Sequence, residues 1–181
     1  MRIVPLDLSG AFRILPEPAR DHRGSFARLF CAEAFRAHGL ATQWVQMNRS
    51  CTAARGTVRG LHLQTAPFAE DKLVRCVSGA VFDVLVDLRP GPGQGRWTAL
   101  TLAAEGGEAA YIPAGLAHGF QALTDAAELH YCHSAPFAPD HQAGLHPADP
   151  ALAIPWPLPV RNLSARDAAL PSLASLRELT P

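Results

Sequence analysis

The stretch Leu73-Val-Arg-Cys-Val-Ser-Gly-Ala-Val-Phe-Asp-Val-Leu-Val-Asp-Leu88 decides the fold class. It is rich in β-branched and aliphatic residues, contains no proline, and breaks once, at Ser78-Gly79, into two runs of strand length. Working outward, runs of the same character cover Ser25–Phe30, Gln43–Thr52, Thr57–Gln64, Arg96–Leu102, Ala109–Ile112, His118–Leu123 and Ala127–Ser134. Sixteen prolines and fourteen glycines separate these runs and leave little room for long helices. Many short strands at such spacing predict an all-β sandwich or closed barrel rather than alternating β-α-β units. Two short helices are expected, one over Ala32–His38 stopped by Gly39 and one over Leu173–Leu179. The stretch from Pro136 to Pro159 holds seven prolines without a clear period, and is expected to wrap the surface.

The chain has 181 residues, enough for one domain spanning residues 1–181 with a substantial core. Apolar residues make up 48% and charged residues 18%, and the formal net charge is zero, so no basic stripe speaks for nucleic acid or an anionic membrane. The opening MRIVPLDLSGAFRILP lacks the basic and apolar regions of a signal peptide, and no apolar run reaches the length of a membrane span. A cytoplasmic protein is expected. The four cysteines, Cys31, Cys51, Cys76 and Cys132, have no metal-ligand spacing and are expected to be buried, reduced thiols.

Candidate chemistry gathers around Arg59-Gly-Leu-His-Leu-Gln64 and Lys72. Fifteen of the sixteen basic residues are arginine, so Lys72 is the single lysine. Lysine offers a compact charge whose pKa moves on burial, where arginine offers a rigid fork that keeps its proton. Strict alternation in Thr57–Gln64 puts Arg59 on a face with Leu61 and Leu63. A bulge at Gly60 would instead bring Arg59 and His62 to one side. His62 is then a candidate base, metal ligand or core histidine. In Ala127–Ser134, Leu129, Tyr131 and His133 share a face and His130 and Cys132 the other, which argues against a His130/His133 metal pair. Asp83 and Asp87 alternate with apolar residues and are expected to be solvent-facing or structural. Ser164-Ala-Arg-Asp167 has the form of a helix N-cap with an acid at its third helical position.

Taken in order, the motifs resemble the dTDP-4-dehydrorhamnose 3,5-epimerase family over nearly the whole chain. They are Asp21-His-Arg-Gly-Ser-Phe26, Gln46-Met-Asn48, Gly56-Thr-Val-Arg-Gly-Leu-His-Leu-Gln64, Lys72-Leu-Val, Gly79 to Arg89, Ile112-Pro-Ala-Gly-Leu-Ala-His-Gly-Phe120, Tyr131, Asp149-Pro, Ile154-Pro-Trp-Pro157 and Leu163-Ser-Ala-Arg-Asp167. The resemblance implies a cupin-type double-stranded β-helix, or jelly roll, with no metal and no cofactor, working as a homodimer that exchanges N-terminal strands. It implies an epimerase that inverts C3, C5 or both in a nucleotide-linked 4-keto-6-deoxyhexose, serving deoxysugar or surface-polysaccharide biosynthesis. The family's base matches His62, its orienting aspartate Asp167, its proton donor Tyr131, and the lysine near the keto oxygen Lys72. Substrate contacts match Arg23, Phe26, Gln46, Asn48, Arg59, His118 and Arg166. The chain departs from the family pattern at Arg28 and Gln142, where glutamate is usual, and at Phe137, where tyrosine is common. The first two bear on the nucleotide base, the third on which carbons are inverted. Three competing functions are a 3,4-ketoisomerase on a similar sugar, a non-catalytic sugar-nucleotide-binding cupin and a metal-dependent cupin oxygenase.

Overall fold

The computed structural model describes residues 1–179. Its elements are β1 (Arg2–Pro5), β2 (Phe12–Leu15), β3 (Ala19–Asp21), β4 (Gly24–Phe26), α1 (Ala32–Ala37), β5 (Gln46–Thr52), β6 (Val58–Gln64), β7 (Lys72–Ser78), β8 (Ala80–Asp87), β9 (Trp97–Ala103), β10 (Ala109–Ile112), β11 (Leu116–Ala122), β12 (Ala127–His133), a 3-10 turn (Pro139–His141), β13 (Gln142–Gly144), α2 (Ala165–Ala168) and α3 (Leu173–Leu179). Two antiparallel sheets form the body of an all-β jelly roll. One has the order β1-β2-β10-β7-β12-β5 and the other β13-β6-β11-β8-β9. Among the described residues no helix is long and apolar enough to cross a membrane.

The Ser78-Gly79 break is the turn between β7 and β8, which lie in different sheets. That change of sheet sets Val74 and Cys76 against Val81, Leu85, Leu102 and Phe120 in the core between the sheets. Each fully buried Leu, Val or Phe there contributes about 1.5–3 kcal/mol. The outer faces are covered too. Phe35 of α1 is fully buried with Ile14, Leu73 and Tyr111 on the first sheet. Leu145, Leu152 and Leu173, with Ile154 and Trp156 beside them, cover Leu61, Val84 and Val86 on the second.

This second cover corrects the expectation for the proline-rich stretch. Prolines remove periodicity but not apolar side chains, and Leu145 and Leu152 are buried while Gln142–Gly144 pairs with β6. The cover also sets the facing of β8. Phe82, Val84 and Val86 meet the C-terminal cover, and Asp83 lies between Val81 and Leu85 on the core side with no exposure. Asp83 is therefore not solvent-facing, and Asp87 is buried and paired with Arg89 at 2.6 Å. Of the cysteines only Cys76 is buried; Cys51 is exposed, and Cys31 and Cys132 are intermediate.

The expected strand over residues 25–30 shrinks to β4, a three-residue arm of a hairpin with β3 whose residues are all exposed. Strands β1, β2, β3 and β13 carry three or four residues each, too few for alternation to stand out from coil. Helix α1 ends as expected at Gly39, whose φ of +71° takes the chain out of the helical region. Helix α3 covers the expected residues, with Leu173 buried.

Candidate active site

Strands of both sheets line an open cavity of about 740 Å³. The second sheet gives it Arg59 and His62 from β6 and His118 from β11, and the first gives Lys72 from β7, Tyr131 from β12 and Asn48 from β5. The bulge expected at Gly60 is present: Arg59 pairs with Phe120 and His62 with His118, so two residues of β6 oppose one of β11. Arg59 and His62 both line the cavity in consequence, while Leu61 turns away into the outer cover. Glycine is required on both sides of this crossing. A Cβ on Gly60 would lie 2.5 Å from the Gly119 Cα, and one on Gly119 would lie 2.7 Å from the Arg59 carbonyl oxygen.

His62 is half-buried, and its Nε2 lies 2.7 Å from Asp167 Oδ1. Asp167 is buried, and its Oδ2 accepts the Gly60 N–H at 3.2 Å. Ser164 caps α2 by accepting the Asp167 N–H at 3.0 Å, as the cap pattern predicts. The carboxylate does not reach back to its own cap; it crosses to β6, where it accepts the Nε2 proton and leaves the Nδ1 lone pair of His62 free. Burial is the largest effect on the His62 imidazole and pulls its pKa below the ordinary value. Asp167 opposes this, and the charges of Arg166 and Lys72 add to it. The ring is therefore neutral near pH 7 and able to accept a proton.

Tyr131 stands on the opposing sheet with its ring edge-on to His118 and stacked on His133, at centroid distances of 5.9 and 6.0 Å. Burial first, then the charge of Asp83, raises its phenol pKa, so the hydroxyl keeps its proton. Lys72 is buried, and its ammonium donates to the His62 carbonyl oxygen at 3.2 Å and pairs with Glu70 at 3.2 Å. His118 is held by Asp83, with Nε2 at 2.6 and 2.8 Å from the two carboxylate oxygens. Arg59 is anchored through Thr52 Oγ1 at 3.1 Å and the Cys51 carbonyl oxygen at 3.3 Å. Its charge, with that of Arg166, favours an anion in the cavity. Among the described residues no three His, Cys, Asp or Glu side chains group as a metal site.

The cavity thus gathers His62, Lys72, Tyr131, Asp167, Gln46, Asn48, Arg59, His118 and Arg166. Gln142 and Phe137 line it as well, whereas Arg28 is exposed elsewhere. Arg23 and Phe26 are not brought to it within the protomer. They line a separate concavity on the β3–β4 hairpin, where Arg23 pairs with Asp21 at 2.6 Å and Phe26 is 81% exposed. Sequence reasoning missed Asp83, Glu70 and the contact role of His133. A carboxylate inside an otherwise aliphatic strand was the available signal for Asp83, since such a strand is buried on both faces and its acid needs a partner.

The model of the dTDP-4-dehydrorhamnose 3,5-epimerase family matches residues 5–175. A dTDP-4-dehydrorhamnose 3,5-epimerase of Sinorhizobium fredii is 44% identical over 165 residues, covering 90% of this chain and 85% of the relative. A dTDP-4-dehydrorhamnose 3-epimerase of Streptomyces niveus is 41% identical over 180 residues, covering 98% and 86%. Among solved structures, an epimerase of Mycobacterium tuberculosis superposes with a TM-score of 0.93 at 40% identity, covering 99% of this chain and 92% of that one.

Proposed function

The chain belongs to the dTDP-4-dehydrorhamnose 3,5-epimerase family, and from that premise we propose a mechanism in which His62 and Tyr131 invert a carbon of a nucleotide-linked 4-keto-6-deoxyhexose from opposite sides. The enzyme is a cupin-type isomerase of deoxysugar biosynthesis. The observation that carries the mechanism is the placement of the base and the acid on facing sheets, with the cavity between them. The C4 ketone acidifies the hydrogen on C3. His62 Nδ1 takes that proton, and the electron pair of the C–H bond moves to form an enolate with its charge on the C4 oxygen. Asp167 holds the tautomer that makes this possible and stabilises the imidazolium that results. Lys72 offers a fixed positive charge to the oxyanion, an interaction that grows as the charge develops. Tyr131 then gives its proton to the opposite face of C3, the ketone re-forms, and exchange with solvent returns both groups to their starting states.

Relatives at 44% and 41% identity carry the names of a 3,5-epimerase and a 3-epimerase, so inversion at C3 is common to both. Incubating the enzyme with a dTDP-4-keto-6-deoxyhexose in D₂O is expected to introduce deuterium at C3, and at C5 as well if both carbons are inverted, with NMR as the readout. Absence of exchange at both carbons would refute the reading. A ketoisomerase would move the carbonyl to C3 in the same spectra. A binding module would have no use for a proton donor facing a base.

A second copy of the chain completes the site. Arg23 and Phe26 sit on an exposed hairpin, away from the cavity of their own protomer. Exchange of N-terminal strands in a homodimer would carry Arg23 of the partner subunit to the pyrophosphate and Phe26 of the partner subunit to the nucleotide. Light scattering is expected to give twice the 19.3 kDa chain mass. Arg23→Ala is expected to raise KM with kcat nearly unchanged. A fully active monomer would overturn this arrangement.

A further inference from the structure

Glu70, in the loop entering β7, is buried and touches no part of the cavity's proton-transfer pair. Its Oε1 lies 3.2 Å from Lys72 Nζ, and its Oε2 lies 3.1 Å from Gln64 Nε2 and 3.2 Å from His133 Nδ1. The orientation of each neighbour follows from backbone groups whose polarity is fixed. The Phe137 N–H donates to Gln46 Oε1 at 2.9 Å, so the Gln46 amide nitrogen is the end that donates to Asn48 Oδ1 at 3.1 Å. Asn48 then turns its own nitrogen to His133 Nε2 at 3.3 Å, which makes that ring nitrogen an acceptor and leaves the His133 proton on Nδ1, facing Glu70. Gln64 is fixed in the same way, because its Oε1 accepts the Ala138 N–H at 2.7 Å. Every group that meets Glu70 is a donor, so Glu70 is a carboxylate, held from three sides.

We propose that Glu70 is a positioning residue of the reaction, keeping the buried Lys72 protonated and fixed in place. This rests on the assignment of Lys72 to the enolate oxygen. Among the described residues the other hydrogen-bond partner of the ammonium is the His62 carbonyl oxygen, which carries no net charge. Burial pulls the Lys72 pKa down, and Glu70 is the largest influence opposing it, followed by the more distant Asp83. The other titratable groups of the site are His62 on β6, Asp83 on β8, His118 on β11, Tyr131 and His133 on β12, Asp167 on α2, and the guanidinium groups of Arg49, Arg59 and Arg166. Asp83 gives both its oxygens to His118. Glu70 therefore supplies the dedicated counter-charge. The chain from Phe137 through Gln46, Asn48 and His133 also ties this carboxylate to amides proposed to contact the substrate.

Because Lys72 is the single lysine, labelling with lysine carrying ¹³C at Cε gives one side-chain resonance in the unmodified protein. In Glu70→Gln its titration midpoint is expected to fall by about one to three pH units, the size of shift an adjacent opposite charge produces. The alkaline limb of kcat is expected to move with it. On the plateau kcat is expected to drop about 10- to 100-fold with KM little changed, less than the loss of an oxyanion donor itself. Glu70→Asp, which keeps the charge, is expected to recover most of the midpoint. An unchanged midpoint and pH profile in folded Glu70→Gln would overturn the inference, and so would a wild-type midpoint below neutrality, a measurement that needs no variant. Lack of exchange in the wild-type enzyme would refute the epimerase reading instead.

Discussion

Asp167→Asn is expected to lower kcat by about 10⁴-fold, as much as removal of the imidazole in His62→Ala, because it reverses a tautomer. The Gly60 N–H points at Asp167 Oδ2 and must still find an acceptor after substitution. An asparagine at this position turns its carbonyl oxygen to Gly60 and its amino group to His62 Nε2. That nitrogen then becomes the acceptor, the proton moves to Nδ1, and the atom that should take the substrate proton already carries one. Solvent deuterium exchange at C3 is expected to fall in parallel with turnover, with the fold and substrate affinity retained. Exchange at the wild-type rate would remove Asp167 from the mechanism. The wild-type pH profile carries the same logic. Activity falls on the acid side as His62 takes its proton. Burial holds that step below the ordinary histidine value, so the enzyme is expected to remain active into mildly acid solution.

Tyr131→Phe is expected to separate two events that the wild-type enzyme couples. The phenyl ring keeps its packing against His118 and His133, so the fold is little affected. The base, its aspartate and the Lys72 charge all remain, and His62 continues to remove and return a proton on its own face. Deuterium therefore enters C3 with retention, while formation of the inverted product falls by about 10²–10⁴-fold, the usual contribution of a positioned acid. NMR of the product mixture in D₂O reads both rates at once. Equal loss of exchange and inversion would show that Tyr131 is not the donor on the second face.

Much of this site was legible in the sequence because its local signals are strong. The glycine inside Val58–Gln64 marked a bulge that alternation alone could not accommodate, and the bulge is what sets Arg59 beside His62. The solitary lysine and the serine cap before Asp167 were visible for the same reason. What stayed hidden depends on the covers over the two sheets. The packing of Leu145, Leu152 and Trp156 makes the Phe82 and Val84 side of β8 the outer one. Of the two readings open for Asp83, solvent-facing or structural, that packing leaves the structural one. Glu70 and His133 lie in different elements, and their meeting comes from the pairing of β7 with β12, in which His133 stands opposite Lys72. No spacing along the chain encodes such a contact. Arg23 and Phe26 show the converse: a motif visible in sequence whose use requires a second chain.

The late position of α2, which carries Asp167, has a consequence for biosynthesis. The last sheet strand ends at Gly144, and the dyad's carboxylate arrives only afterwards, on a helix that docks against the finished second sheet. A nascent chain emerging from the ribosome thus exposes all its strands before it can orient its base. Until Asp167 docks, His62 Nε2 lacks the acceptor that fixes its tautomer.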